Sequence, residues 1–572
     1  MGRSTSLAKS EWDKWRRWRP PVPVDALRSS AVHTRRVGPP AAGSGPEPVL
    51  VIARQEVPGG SRTRLVSAEL IADLPLAPDG ETMLASAMVS LPRWWLALVW
   101  AVLGTRIWAQ SPLPPGETRL GALGDFAPTT ANWTVGRGVA GDPRREKTLS
   151  LVPGSGVLVN LPGPAAKGDL FTAWEHGDLS FDCEFLLPMG SNSGIYLMGR
   201  YEVQLFDSWG KRNPTFVDCG GIYERWDETR GAGKEGVDGV SPRANACRAP
   251  GLWQTLHVEF RAPRFDANGK KVENARFLKI ELNGFLVQED VEVAGPTRSA
   301  AFLTESPTGA LMIQGSHGPI ALRAIRCRPL GEPVAASKTE LARKKAVPAY
   351  TIEATSRVRL QRGFVPFFPS KRLYAVSVGT LAGMNYAYDF QTGALLRAWR
   401  GSFVNTFEMW DGRGANQIAS PAGPALTLNA KPALGVIEFS GTDGWPEREN
   451  DLYSTEGYRL EADGSPVFLA SLSGLKIADA YKPLADGKGL TRTLQCEGSL
   501  TSFSTFALLA EADVISPAPG GGYLVGDRQW YLDWPSNSEH VPVLWNTGGK
   551  QQLVVPLTKT SFNKPVVYTL VW

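Results

Sequence analysis

The chain has 572 residues, 43% of them hydrophobic and 20% charged, with 60 Gly, 44 Pro and 19 Trp. That is a globular composition too long for one ordinary domain, and its Gly and Pro content favours short strands joined by turns. The formal charge of +5 resides in residues 1–109; the remainder is balanced, which excludes the basic footprint of a nucleic-acid-binding surface.

Residues 1–87 are Arg- and Pro-rich and show no sustained apolar period. They read as an extension without a packed core, upstream of a true start at Met83 or Met88. A cytoplasmic basic tail with a short membrane anchor is the alternative. Residues 88–109 have the proportions of a signal peptide: Arg93, an apolar run from Trp94 to Gly104, then Ala109. The run is too short for a bilayer-spanning helix, which needs ~20 residues. The expectation is an exported protein, periplasmic or extracellular, with no stable membrane span after cleavage.

From residue 118 to 330 the chain alternates apolar and polar residues in short runs separated by Gly, Pro and Asn. Such runs are 149–161, 179–188, 193–207, 253–263, 275–293 and 310–330. Asn283-Gly284 within the fifth run suits a primed hairpin turn, so Asn283 is read as a hairpin residue. Strand density without helical period predicts an all-β protein whose first domain, 118–330, is a β-sandwich. Residues 331–347 are polar and strand-poor, as a linker would be, and 348–572 form a second β-rich domain. There Asp389–Gly393 reads as a turn between two strands. Trp399, Arg400, Trp410 and Arg413 either line a site or, the commoner case, are buried aromatics with flanking arginines.

Five cysteines occur, at 183, 219, 247, 327 and 496, with no CxxC or CxxCH pair. Cys219 and Cys247 sit in turn-rich sequence, where a disulfide fits an exported chain; the other three read equally well as buried thiols. The five histidines form neither HxH nor HExxH. No cofactor is expected, and a metal requirement is left open.

The segment Gly190–Trp253 carries the chemistry. Arg200, Glu202 and Gln204 alternate with Tyr201, Val203 and Leu205, which puts the three polar side chains on one strand face. Asp207 falls on the opposite face unless a β-bulge restores it. The spacing is similar to the E-x-D-x-x-E strand of jelly-roll glucanases, with an amide at the centre and Asp for the distal Glu. Both departures speak against a retaining mechanism, which needs carboxyls about 5–5.5 Å apart. His317 lies in a turn and reaches a groove rim or is merely solvated. Tyr223 and Trp253 either stack on sugar faces or plug the core.

Longer motifs bear on these residues: Asn192-Ser193-Gly194-Ile195-Tyr196, Gly199–Gln204, Asp207-Ser208, Gly220–Tyr223, Pro250–Gln254, Arg261–Phe265, Asn283-Gly284 and Gly309–Gly318. On them the region resembles the 3-keto-disaccharide hydrolase domain, also called the 3-keto-glucoside lyase/hydratase domain. Leu252 departs from the usual Glu or Asn of that family. The resemblance implies a concanavalin-like jelly-roll secreted by glycan-degrading bacteria and a 3-keto-glycoside or other carbohydrate as its partner. An oxidised C3 acidifies the C2 proton, so a base removes it and the C1 substituent leaves; water then adds back. Glu202 and Asp207 suit the base and acid roles, with Arg200, Gln204 or His317 as enolate stabilisers. A non-catalytic carbohydrate-binding module and a conventional glycoside hydrolase are the competing readings.

Overall fold

The computed structural model describes residues 111–331, 350–411, 416–437, 445–446, 452–498 and 504–572. The expected extension at 1–87, the signal peptide at 88–109 and all of the linker beyond Gly331 lie outside the described residues. Among those residues the protein is all-β, with α-helix confined to Phe407–Trp410 and Lys559–Asn563. No helix among them is long and apolar enough to cross a membrane.

Two antiparallel-rich sheets make the N-terminal sandwich. The first contains β1 (Leu170–His176), β2 (Asn192–Leu197), β3 (Tyr201–Phe206) and β4 (Gly309–Ile313), with Ser111–Pro112 at one edge. Its spatial order is Ser111–Pro112, β1, β4, β2, β3. The second, of eight strands, runs from Phe285–Val293 through Ala275–Leu282, Trp253–Arg261, Leu179–Leu186, Ile320–Pro329 and Leu149–Asn160 to Trp133–Gly141, with Thr118–Leu120 paired onto Ile320–Pro329. Alternation decides which side chains meet between them. Ile195, Leu197, Tyr201, Val203 and Leu205 join Phe181, Phe185, Phe260 and Phe277 in one buried cluster. Each large apolar side chain buried there contributes about 1.5–3 kcal/mol. The Asn-Gly hairpin forms as read: Asn283 and Gly284 both take positive φ between the two strands they join.

The C-terminal half is a second sandwich system. A five-stranded sheet holds Arg359–Arg362, Ala375–Gly379, Met384–Asp389, Leu395–Arg400 and Ala425–Thr427. A four-stranded sheet centred on Ser504–Ala512 and Lys550–Leu557 faces an eight-stranded sheet containing Leu475–Pro483, Leu490–Gly498, Val566–Val571 and Trp530–Asp533. Residues of all three share one apolar cluster. Asp389–Gly393 is a turn between two paired strands, held by the Gln391 N–H donating to Asp389. Trp399 is fully buried, its indole N–H donating to the Phe403 carbonyl. Arg400 donates to the carbonyls of Cys247 and Trp572, while Trp410 is exposed; Arg413 lies outside the described residues.

Candidate active site

β2 and β3 form a hairpin in which Tyr196 faces Glu202 and Gly194 faces Gln204 across the strand pair. Met312 of β4 pairs with Tyr196, so Met312, Tyr196 and Glu202 make one row across three strands. This row lies on the sheet face turned away from the apolar core. The closeness of the row depends on glycine. A Cβ at Gly194 would come within 2.2 Å of Glu202 Oε1, so only the bare backbone leaves room for that carboxyl.

Glu202 is 2% exposed. Its backbone is held on both sides: the Glu202 N–H donates to Thr297 Oγ1 and its carbonyl accepts from the Tyr223 N–H. The segment Gly220–Tyr223 thereby continues the sheet past β3, with the Gln204 N–H donating to the Gly221 carbonyl. Burial lifts the Glu202 carboxyl from the ordinary 4.5 to about 8; a hydrogen bond from Tyr196 pulls it back and the charge of Asp169 pushes it further. Burial and the adjoining Glu202 push the Tyr196 phenol up, so it remains a hydrogen donor. The Gln314 amide donates to the Tyr196 oxygen. Asp169 is fixed by the Gly315 N–H at 2.8 Å. Gln204 Oε1 and Asn192 Oδ1, both on this face by alternation, are buried without a hydrogen-bond partner. Tyr223 is half-buried, raised first by burial and then by Glu202, and packs edge-on against Phe216 at 5.7 Å.

Of the residues singled out in the sequence, Glu202, Gln204 and Tyr223 are brought together. His317 is exposed and bonds Ser316, two residues beyond the Gly315 that holds Asp169. The others stand elsewhere. Arg200 is not in β3 but in the turn before it, where Met198 and Gly199 take positive φ. Its guanidinium donates to the carbonyls of Met198 and Thr304 at 2.8 Å and lies over Phe302, so period-two alternation stops short of it. Asp207 is not returned to the Glu202 face: β2 and β3 pair without a register shift. Its carboxylate instead accepts from the Gly190 and Trp209 N–H groups, and burial raises it against those bonds and the charge of Lys488.

Trp253 belongs to the opposite sheet, in a cluster with Val139, Val157, Val159, Leu186 and Ala321 on that sheet's outer side. Arg323 covers its ring at 4.1 Å, so it plugs packing instead of facing the candidate site. The expected Cys219–Cys247 bridge is absent: all five cysteines are free. The two thiols are hydrogen-bonded to each other, and Cys247 Sγ lies 3.6 Å from the Phe206 carbonyl. Among the described residues no group of three or more His, Cys, Asp or Glu is arranged to hold a metal ion.

Tyr196, Asp169 and Gln314 were missed by the sequence reading. Tyr196 and Gln314 lie within motifs already noted, and a registered hairpin would have put Tyr196 opposite Glu202. Asp169 had no local signal, because it reaches the site through the fold of β1 and the turn at Gly315.

Residues 127–328 match the family described as 3-keto-alpha-glucoside-1,2-lyase-like domain. That match marks residues 127–328 as similar to a carbohydrate-active domain family. A Parabacteroides distasonis ATCC 8503 protein bearing a provisional glycosyl-hydrolase name is 22% identical, with a TM-score of 0.26, over 40% of this chain and 97% of that one. A second protein of that organism, named likewise, is 19% identical with a TM-score of 0.21, over 35% of this chain and 94% of the other. Likenesses of that size decide nothing about activity. No curated protein sequence matches the chain.

Proposed function

We propose that the N-terminal half cleaves 3-keto-glycosides by β-elimination and then hydrates the product. The observation that carries this reading is Glu202: a buried carboxyl with no cation against it, titrating near 8, hydrogen-bonded to Tyr196 within the matched domain. A base of that kind is matched to removing a C–H proton made acidic by a neighbouring ketone. Glu202 takes the C2 proton, the electron pair moves into the C2–C3 enolate and on to C1=C2, and the C1–O bond breaks. The proton held by Glu202 goes to the departing oxygen. Tyr196, supported by Gln314, donates to the C3 oxygen as charge develops there. Asp169 takes the place that the sequence assigned to Asp207 as the second carboxylate of the site. Gln204 and Asn192 offer acceptors to sugar hydroxyls.

A module that binds sugar without cleaving it is the competing reading. Incubating the purified protein with a 3-keto-disaccharide and with its parent disaccharide separates the readings. Cleavage of the keto sugar alone supports elimination. Cleavage of the parent sugar points to conventional hydrolysis, and binding without product to a binding module.

We further infer export through the segment 88–109, on the strength of its short apolar core. Peptide mass spectrometry of the native protein should find an N-terminus near Gln110; a native peptide from residues 1–80 would rule out a start at Met83 or Met88. Limited proteolysis should cut between 331 and 347 before it cuts either sandwich.

A further inference from the structure

We propose that the C-terminal half contains a second carbohydrate site, a cavity within its sandwich that accepts one neutral sugar ring. The cavity measures about 120 Å³. A water needs ~10–15 Å³ on this measure, so the space exceeds a single water many times over and suits a small ring-shaped guest. Trp530, Tyr481 and Tyr568 supply aromatic lining; Arg492, Lys431 and Glu511 supply polar groups. Aromatic faces set among a few fixed donors and acceptors are what a polyhydroxylated ring requires.

The polar lining is built, not incidental. Arg492 is 2% exposed and grips Asp479 through Nε and Nη2, both at 2.9 Å. Its Nη1 donates to the Tyr568 hydroxyl at 3.3 Å, and its guanidinium lies 5.6 Å and 6.0 Å from the centroids of the Tyr481 and Tyr568 rings. A guanidinium has five N–H donors. Three are used, which leaves two for a guest at the cavity wall. A buried ion pair is poor value for stability alone, since its desolvation offsets its attraction. On the rim, Lys431 pairs with Glu511 at 2.7 Å. Gln552 donates to Glu511 at 2.6 Å and keeps its own Oε1 buried without a partner.

The charge pattern selects the guest. Arg492 is matched by Asp479 and Lys431 by Glu511, so the lining carries no net charge for an acidic or basic ligand to answer. Hydroxyl groups, which donate and accept at once, fit such a lining better than a carboxylate or an amine. Entry is from the 427–431 stretch, where Thr427 is exposed and Leu428, Asn429 and Lys431 are half-buried.

The test uses the full chain, titrated with glucose, galactose and mannose, and with glucuronate as a charged control, by calorimetry and saturation-transfer NMR. A neutral hexose should bind. Asn429→Ala at the rim should weaken it about tenfold or more, and Ala433→Leu, which fills the cavity without removing a polar group, should abolish it. Turnover of a 3-keto-disaccharide, measured on the same samples, should stay unchanged, because the site stands apart from Glu202. Three results would each overturn the proposal: no neutral hexose binds, glucuronate binds best, or binding persists undiminished in both variants. If Ala433→Leu does not fold, the rim variant alone decides.

Discussion

Two buried carboxylates, one in each half of the chain, have opposite surroundings. Glu202 and Asp479 are 2% and 3% exposed, and burial raises both. Asp479 is gripped by Arg492 at both oxygens and by the Tyr481 hydroxyl, so the pull of the cation answers the cost of burial. Glu202 meets the phenol of Tyr196 and the charge of Asp169, and burial is not offset by a cation. Burial with a counter-charge fixes a group in one state; burial without one leaves it able to gain or lose a proton near neutral pH. The second arrangement is the one catalysis needs.

The comparison is broken most sharply by exchanging charge for an isosteric amide. Glu202→Gln should lower turnover of a 3-keto-disaccharide by about 10²–10⁴-fold while sparing substrate binding, measured by steady-state kinetics and calorimetry. Full activity in that variant would move the base to Asp169. Asp479→Asn should leave the chemical step intact and cost about 3–5 kcal/mol of stability, because Arg492 would stay buried without its partner. Denaturant titration checks that. A loss of turnover without a loss of stability would reverse the assignment of the two carboxylates.

Proton linkage sharpens the contrast. Between about 4.5 and 8 the unfolded chain releases a proton from Glu202 that the folded chain keeps. Stability should therefore fall with rising pH across that window by up to about 1.4 kcal/mol per pH unit, with no contribution below it and a constant cost above it. Glu202→Gln should flatten that slope in a series of melts from about pH 4 to about pH 9. In the unsubstituted protein, turnover should rise with pH until about 8, since the base acts when deprotonated.

A steric change acts on the site without touching its charge. Gly194→Ala places a methyl within 2.2 Å of Glu202 Oε1. The displaced carboxyl should lose about 10²-fold in rate with only a modest shift in melting midpoint. The smallest effect is expected at Arg323, over Trp253 and paired with Glu184 and Asp527. Arg323→Ala should cost about 1 kcal/mol and leave turnover unchanged; a large loss of turnover would return Trp253 to the site.

Much of the N-terminal sandwich was legible because strand alternation and turn chemistry are local. The runs at 149–161, 179–188, 253–263 and 275–293 became strands, and Asn283-Gly284 turned as its backbone preference required. Glu202 and Gln204 were legible for the same reason: two residues apart in a strand share a face. Arg200 misled because the alternation was carried across a turn whose positive φ angles at Met198 and Gly199 end the strand. Asp207 misled because a bulge was invoked where the pairing stays regular.

The sequence by itself determined the all-β class, the register of the apolar face and the strand that bears Glu202, since these depend on residues a few positions apart. Only the tertiary structure decided what surrounds that carboxyl. Asp169, Tyr196 and Gln314 arrive on three different segments, and Trp253 is carried to the other sheet, by strand order that no local period encodes. The same holds for Arg492 and Asp479, whose pairing depends on the register of two neighbouring strands. A pKa near 8 is a property of that assembled environment: it comes from removing water and withholding a cation, and both are done by residues far away in the chain.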